Sequence, residues 1–160
     1  MKEDYIAQLH LEGLPSRLKR LSDSLLYSTR DLYKTMDVSI EPNWNLVFRI
    51  LKDYEALTIT EIAEKLQFSH PAVIKITSKM KKNGYIISAA DTKDRRKQIL
   101  KLSDKARAEM DYLESLWLTQ VEVIKELFAE SPTFMQELSK IENKIATLDY
   151  KQRVLNSMEQ

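Results

Sequence analysis

Between Leu57 and Ser103 the spacing of apolar positions changes twice, and each change marks a new element. Thr58-Ile59-Thr60-Glu61 has the S/T-x-x-E form of a capping box, in which the hydroxyl and the carboxylate each satisfy a backbone N–H orphaned at a helix start. A helix is therefore predicted from about Ile59, with Ile62, Ala63 and Leu66 as its buried stripe. Ser69 is a second N-cap candidate, and Pro71 lies just inside the helix it would start. About three or four residues join the two helices, the spacing of a helix-turn-helix. In the second helix Val73, Ile76, Thr77 and Met80 repeat as one inward face. That leaves His70, Ile74, Lys75, Ser78, Lys79 and Lys82 mostly on the other faces, and Gly84 as the left-handed stop. The period then shortens. Tyr85-Ile86-Ile87-Ser88 and Gln98-Ile99-Leu100-Lys101-Leu102 read as two strands around a long polar tip, residues 89–97.

The flanks carry helical periodicity. A helix is predicted from Leu14-Pro15-Ser16, with Leu14, Leu18, Leu21, Leu25 and Leu32 along one side, a stripe that must be covered. The residues before it read as a frayed helix or an arm. Residues 37–41 form a linker, and Pro42, at a first-turn position, is expected to start a helix through Trp44, Val47, Phe48, Leu51 and Tyr54. Beyond the hairpin, Ser103-Asp104 caps a long helix containing Ala106, Met110, Leu113, Trp117, Val121, Ile124 and Phe128. After Ser131-Pro132, a last helix places Phe134, Leu138, Ile141, Ile145 and Leu148 on a 4-3-4-3 seam suited to helix-on-helix packing. The fold class expected is mainly α with a small β-hairpin wing: a winged helix-turn-helix flanked by long helices. One domain over 1–160 is the expectation, with the winged core at 42–102 and helical regions at 1–41 and 103–160.

These residues resemble the MarR-type winged helix-turn-helix transcription regulators. The resemblance rests on Leu57-Thr58 through Ala63, on the exit Met80-Lys81-Lys82-Asn83-Gly84-Tyr85-Ile86, and above all on Asp91-x-x-Asp94-Arg95-Arg96 followed by Leu100-x-Leu102-Ser103. Residues 16–44 and 69–73 are also similar to the regulator half of chains in which such a domain is fused to a GNAT-type acetyltransferase. The resemblance implies a homodimer whose first and last two helices interlock and hold two winged modules apart. It also implies that Asp94 and Arg96 set the wing on DNA, and that a small effector binds between the dimerisation helices and the winged module.

Charge sharpens the picture. The chain of 160 residues has a formal net charge of only +1, but the average hides a division. Residues 58–105 hold 11 Lys/Arg against 5 Asp/Glu, a net of +6, which leaves −5 for the rest. Positive charge gathers on the segment that would meet nucleic acid. With no Cys there is no disulfide, thiolate zinc site or thiol switch, and two His in different segments make a His-rich metal site improbable. No signal peptide and no apolar run of about 20 residues is present, so a cytoplasmic protein without a membrane span is expected. An enzyme is not: the chain has no nucleophile elbow, HExxH or paired-carboxylate motif, and its two Gly, Gly13 and Gly84, exclude a phosphate-cradling loop. No cofactor or metal is expected.

The candidate DNA-reading positions follow. A major groove about 12 Å wide admits an α-helix, so His70, Pro71, Ala72, Ile74, Lys75, Ser78 and Lys79 are the candidate reading face. Lys75 suits a guanine edge or a phosphate, Ile74 or Ala72 a thymine methyl, and His70 either a contact or a surface cap. At the wing, Lys93, Asp94, Arg95, Arg96 and Lys97 are candidates, since Arg is stabilised by the negative potential of a narrow minor groove. Asp94 would pair with an Arg and fix its aim. Tyr27, Arg30, Tyr33, Trp44 and Phe48 are candidates for an effector cleft, against the alternative that they serve packing and the surface. The function expected is a homodimeric, sequence-specific DNA-binding transcription regulator on a pseudo-palindromic operator, a repressor modulated by a small ligand. The alternatives are a winged-helix module used for protein contacts alone, or a partner of an acetyltransferase.

Overall fold

The computed structural model describes residues 3–90 and 98–159. The described chain divides into two compact units, Met1–Met110 and Asp111–Gln160. In the first, a short helix α1 (Tyr5–Gln8) precedes α2 (Leu14–Thr35). Arg20 grips Asp4 through both guanidinium NH groups, at 3.1 and 2.6 Å, and so holds α1 to α2. Gly13 is needed at their junction, where a Cβ would collide with the carbonyl of Ile6. Helix α3 spans Trp44–Tyr54. It starts two residues later than Pro42 suggests, because residues 41–44 close a separate turn in which the Trp44 amide donates to the Glu41 carbonyl at 3.0 Å.

The winged core follows: β1 (Leu57–Thr58), α4 (Ile59–Leu66), α5 (His70–Lys82), β2 (Ile86–Ala90) and β3 (Gln98–Leu102). The capping box forms as its residues dictate. The Thr58 amide donates to the Glu61 carboxylate at 2.7 Å, and the Glu61 amide donates to Thr58 Oγ1 at 3.2 Å. Ser69 Oγ accepts from the Ala72 amide at the head of α5. Gly84 leaves α5 at φ +76°, the left-handed conformation in which a glycine is least strained. The strands form one antiparallel sheet in the order β1-β3-β2, with Leu57 opposite Leu100 and Ile86 opposite Leu102. The hairpin expected from the period-2 runs is present. The third strand, β1, is not evident in the sequence, because two residues offer no alternation to detect.

The core of this unit lies under α3, α4, α5 and the sheet. Val47, Phe48, Leu51, Ile62, Val73, Met80, Ile86, Leu100 and Leu102 are all buried. Each fully buried side chain of this size stabilises the fold by about 1.5–3 kcal/mol. Tyr85 sits among aromatic rings, edge-on to Trp44 at 5.8 Å and to Phe48 at 5.4 Å.

Helix α6 (Asp104–Leu127) starts where Ser103 Oγ accepts from the Ala106 amide at 3.1 Å. In the second unit α7 (Phe134–Thr147) and α8 (Tyr150–Met158) follow it. The α6–α7 connection is closed by the Phe128 and Phe134 rings, 4.9 Å apart. The expected seam ends early: Leu148 is the extended C-cap of α7, and Asp149 caps a further helix by accepting from the Gln152 amide at 2.8 Å. Arg153 donates back to the Leu148 and Lys144 carbonyls and ties α8 to the end of α7. Neither α7 nor α8 contains a buried residue. No described helix is long and apolar enough to cross a membrane.

Candidate DNA-binding surface

Helix α5 separates its two faces cleanly. Val73, Ile76, Thr77 and Met80 are buried, and the Thr77 hydroxyl donates to the Val73 carbonyl at 2.8 Å, so its polar atom is satisfied inside the core. His70, Pro71, Ile74, Lys75, Ser78 and Lys79 are exposed, and Ala72 is half-buried. All seven sequence-nominated positions thus lie on the helix and away from its inward stripe. Ile74 is 43 % exposed, an apolar side chain flanked by polar neighbours. Lys75 and Lys79, one turn apart, share a face with it, and neither is ion-paired among the described residues. The cation on Lys81 is committed elsewhere: its Nζ donates to Ser88 Oγ on β2 at 2.9 Å.

The wing candidates Lys93, Asp94, Arg95, Arg96 and Lys97 lie outside the described residues. The strands that flank them in sequence, β2 and β3, are described, with Ala90 opposite Gln98.

Beside the reading face are two adjoining clefts. One, of about 280 Å³, is lined by Leu26, Arg30, Glu41, Trp44, Lys75 and Lys79, among others. The other, of about 530 Å³, adds Tyr33, Lys34 and Lys82. Arg30 donates to Glu41 from Nε at 3.1 Å and lies 3.0 Å from it through its terminal nitrogen, which fixes the guanidinium at the boundary the clefts share. Of the five effector-cleft candidates, Arg30, Tyr33 and Trp44 line these spaces. Phe48 is 0 % exposed and packs on Tyr85, while Tyr27 is 61 % exposed and borders a shallow depression with Ser16, Lys19 and Asp23. The cations Lys34, Lys75, Lys79 and Lys82 were not nominated for the cleft. Lys75 and Lys79 are read from the sequence as DNA contacts, and the approach of the α2–α3 linker to α5 makes these cations walls of a cavity as well.

Behind the reading face, Tyr85 is 1 % exposed, and its hydroxyl donates to Glu109 Oε2 at 2.9 Å. Burial raises the pKa of this hydroxyl, and the hydrogen bond to Glu109 raises it further, so Tyr85 remains the donor throughout the ordinary pH range. Lys105 Nζ stands 4.0 Å above the ring centroid.

Comparison with known proteins agrees with this geometry. The MarR family model matches residues 43–97. The HTH-type transcriptional regulator PapX of Escherichia coli is 26 % identical over 110 residues, covering 69 % of this chain and 65 % of that protein. Among solved structures, the transcriptional repressor CouR bound to a 23-mer DNA duplex superposes with a TM-score of 0.67 at 25 % identity, over 91 % of this chain and 99 % of that one. A MarR/EmrR family regulator from Acinetobacter sp. ADP1 gives 0.71 at 17 % identity, over 86 % and 97 %. The stretch the family model matches begins at the head of α3 and ends at the foot of β3, so the part of this chain that is similar to the MarR family is its winged helix-turn-helix.

Proposed function

We infer that the chain is a homodimeric, sequence-specific DNA-binding transcription regulator, a repressor in the cytoplasm whose hold on DNA is set by a small ligand. One observation carries the reading: α5 buries its inward stripe completely and presents Ile74, Lys75, Ser78 and Lys79 on one exposed face. A helix serving only to pack has no use for an exposed isoleucine beside unpaired lysines, whereas a major groove offers thymine methyls, guanine edges and phosphates to these side chains. The description of CouR as a repressor on a DNA duplex supports both the ligand class and the sign of regulation. The test is binding to pooled genomic fragments across a salt series. If helix and wing together neutralise several phosphates, log K falls linearly with log salt, with a slope of about −0.9 per contact. A flat response, or no fragment retained, overturns the reading in favour of a winged module used for protein contacts.

The ligand site is the pair of clefts between α2, the α2–α3 linker and α5. Arg30, Tyr33 and Trp44 of the sequence-nominated set would line it, together with Lys75 and Lys79. Those two lysines are also on the reading face, so an anionic occupant and DNA would compete for the same cations within one protomer.

A further inference from the structure

The exit from α5 is a hinge by composition. Asn83 ends the helix, and Gly84, at φ +76° with nothing within 4 Å of a would-be Cβ, is the least restrained residue between the reading face and the wing. Left alone, such a joint would let the wing swing against α5. It is closed on every side. The Tyr85 amide donates to the Met80 carbonyl at 2.9 Å, Ser103 Oγ to the Gly84 carbonyl at 2.6 Å, the Ser103 amide to the Tyr85 carbonyl at 3.0 Å, and Lys105 Nζ to the Asn83 carbonyl at 3.2 Å. The start of α6 therefore grips three consecutive hinge residues from outside. The Tyr85 ring is held by Trp44 and Phe48, a role a phenylalanine would fill equally well. Its hydroxyl has a separate role: it is the one polar atom of a buried ring, and it reaches Glu109, a turn beyond Lys105 on the same helix.

We propose that Tyr85 and Glu109 are a positioning pair that locks the angle between the recognition helix and the wing, so that both DNA-facing elements of a winged module engage as one rigid unit. The proposal rests on the DNA-binding reading above. The pair touches no DNA itself. It acts by removing the hinge freedom that would otherwise have to be ordered on binding, which is how preorganisation raises affinity without adding a contact.

The experiment compares Tyr85→Phe, Glu109→Ala and Glu109→Gln with the wild type for affinity to an operator-containing fragment, with circular dichroism and sedimentation as controls. Tyr85→Phe keeps the ring and should keep the fold and assembly, yet lose about fivefold in affinity, the effect of one hydrogen bond. Glu109→Ala should match it, and Glu109→Gln, which retains an acceptor oxygen, should bind close to the wild type. A cycle with Arg96→Ala supplies the readout that simple destabilisation would not move. If the pair acts through the wing, the double variant Tyr85→Phe/Arg96→Ala loses less than the two single losses multiplied together. Wild-type affinity for Tyr85→Phe, or losses that multiply in full, would overturn the pair while leaving DNA binding intact. Failure of the wild type to bind DNA would overturn the DNA-binding reading and the pair's role with it. Should Tyr85→Phe not fold, Glu109→Ala, at a half-buried helix position, carries the same cycle.

Discussion

Gly84 shows how a single residue decides the course of the chain. Its Cβ would meet no neighbour, so substitution there tests backbone strain alone. Placing alanine at φ +76° costs about 1–2 kcal/mol, since the left-handed region brings Cβ against the following carbonyl. Gly84→Ala should lower the thermal midpoint by several degrees in calorimetry, with the fold retained. An unchanged midpoint would mean that the hinge relaxes out of the left-handed region. Gln67, the C-cap of α4 at φ 53°, adopts a similar conformation without being glycine, and its side-chain amide donates to the Glu64 carbonyl at 2.7 Å. Such a bond offsets part of the strain. Residue chemistry made Gly84 readable from sequence as a stop; it gave no such sign at Gln67, because nothing in a glutamine announces a left-handed turn.

Elements with a start signal and a periodic stripe were legible: α4 through Thr58 and Glu61, α5 through Ser69 and Pro71, and the hairpin through its alternation. Elements lacking one of these were not. Leu57-Thr58 is too short to alternate, and Thr58 already serves as a cap, so the strand it forms on β3 was hidden. The last helix had its signal in Asp149, but α8, at 9 residues, is too short to lay out a repeating apolar stripe that would reveal it. The same reasoning explains the effector cleft. Phe48 and Tyr33 lie on inward faces, where sequence cannot separate an aromatic that fills the core from one that lines a cavity. The two DNA-facing elements should also fail differently when mutated. If Lys75 reads a base edge as proposed, Lys75→Ala should relax discrimination at one position per half-site by about 1–3 kcal/mol. Arg96→Ala should weaken binding to nearly every operator variant, most for A·T-rich flanks, because minor-groove attraction depends on width rather than on a base code. Competition with single-base operator variants distinguishes the two, and identical profiles for both variants would refute the division of labour.

At the scale of the whole molecule, the feature that most needs an explanation is the apolar surface the chain leaves uncovered. On α2, Leu14, Leu18, Leu21 and Leu32 are each 37–46 % exposed along one side, and on α7 and α8 Ile141, Ile145, Val154 and Leu155 are 39–52 % exposed. Single exposed leucines are ordinary, but repeated stripes of them mark surfaces that meet a partner. A second copy of the chain is the partner we propose for them, since two-fold pairing is the commonest closed arrangement of identical chains. The proposed dimer would also give the charge division a purpose. Such a dimer would present two basic reading heads, so that both could engage half-sites about 34 Å apart on one DNA face. Sedimentation equilibrium at micromolar concentration should therefore report a dimer, and the double substitution Leu18→Glu/Leu21→Glu should shift it to a monomer. That monomer should keep its winged core, since neither leucine belongs to the buried set, yet bind the full operator far more weakly. Its second head no longer binds at the high effective concentration that physical linkage provides, a loss on the order of a hundredfold or more. A wild-type chain that sediments as a folded monomer, or a monomeric variant with undiminished affinity for the full operator, would refute the two-headed arrangement.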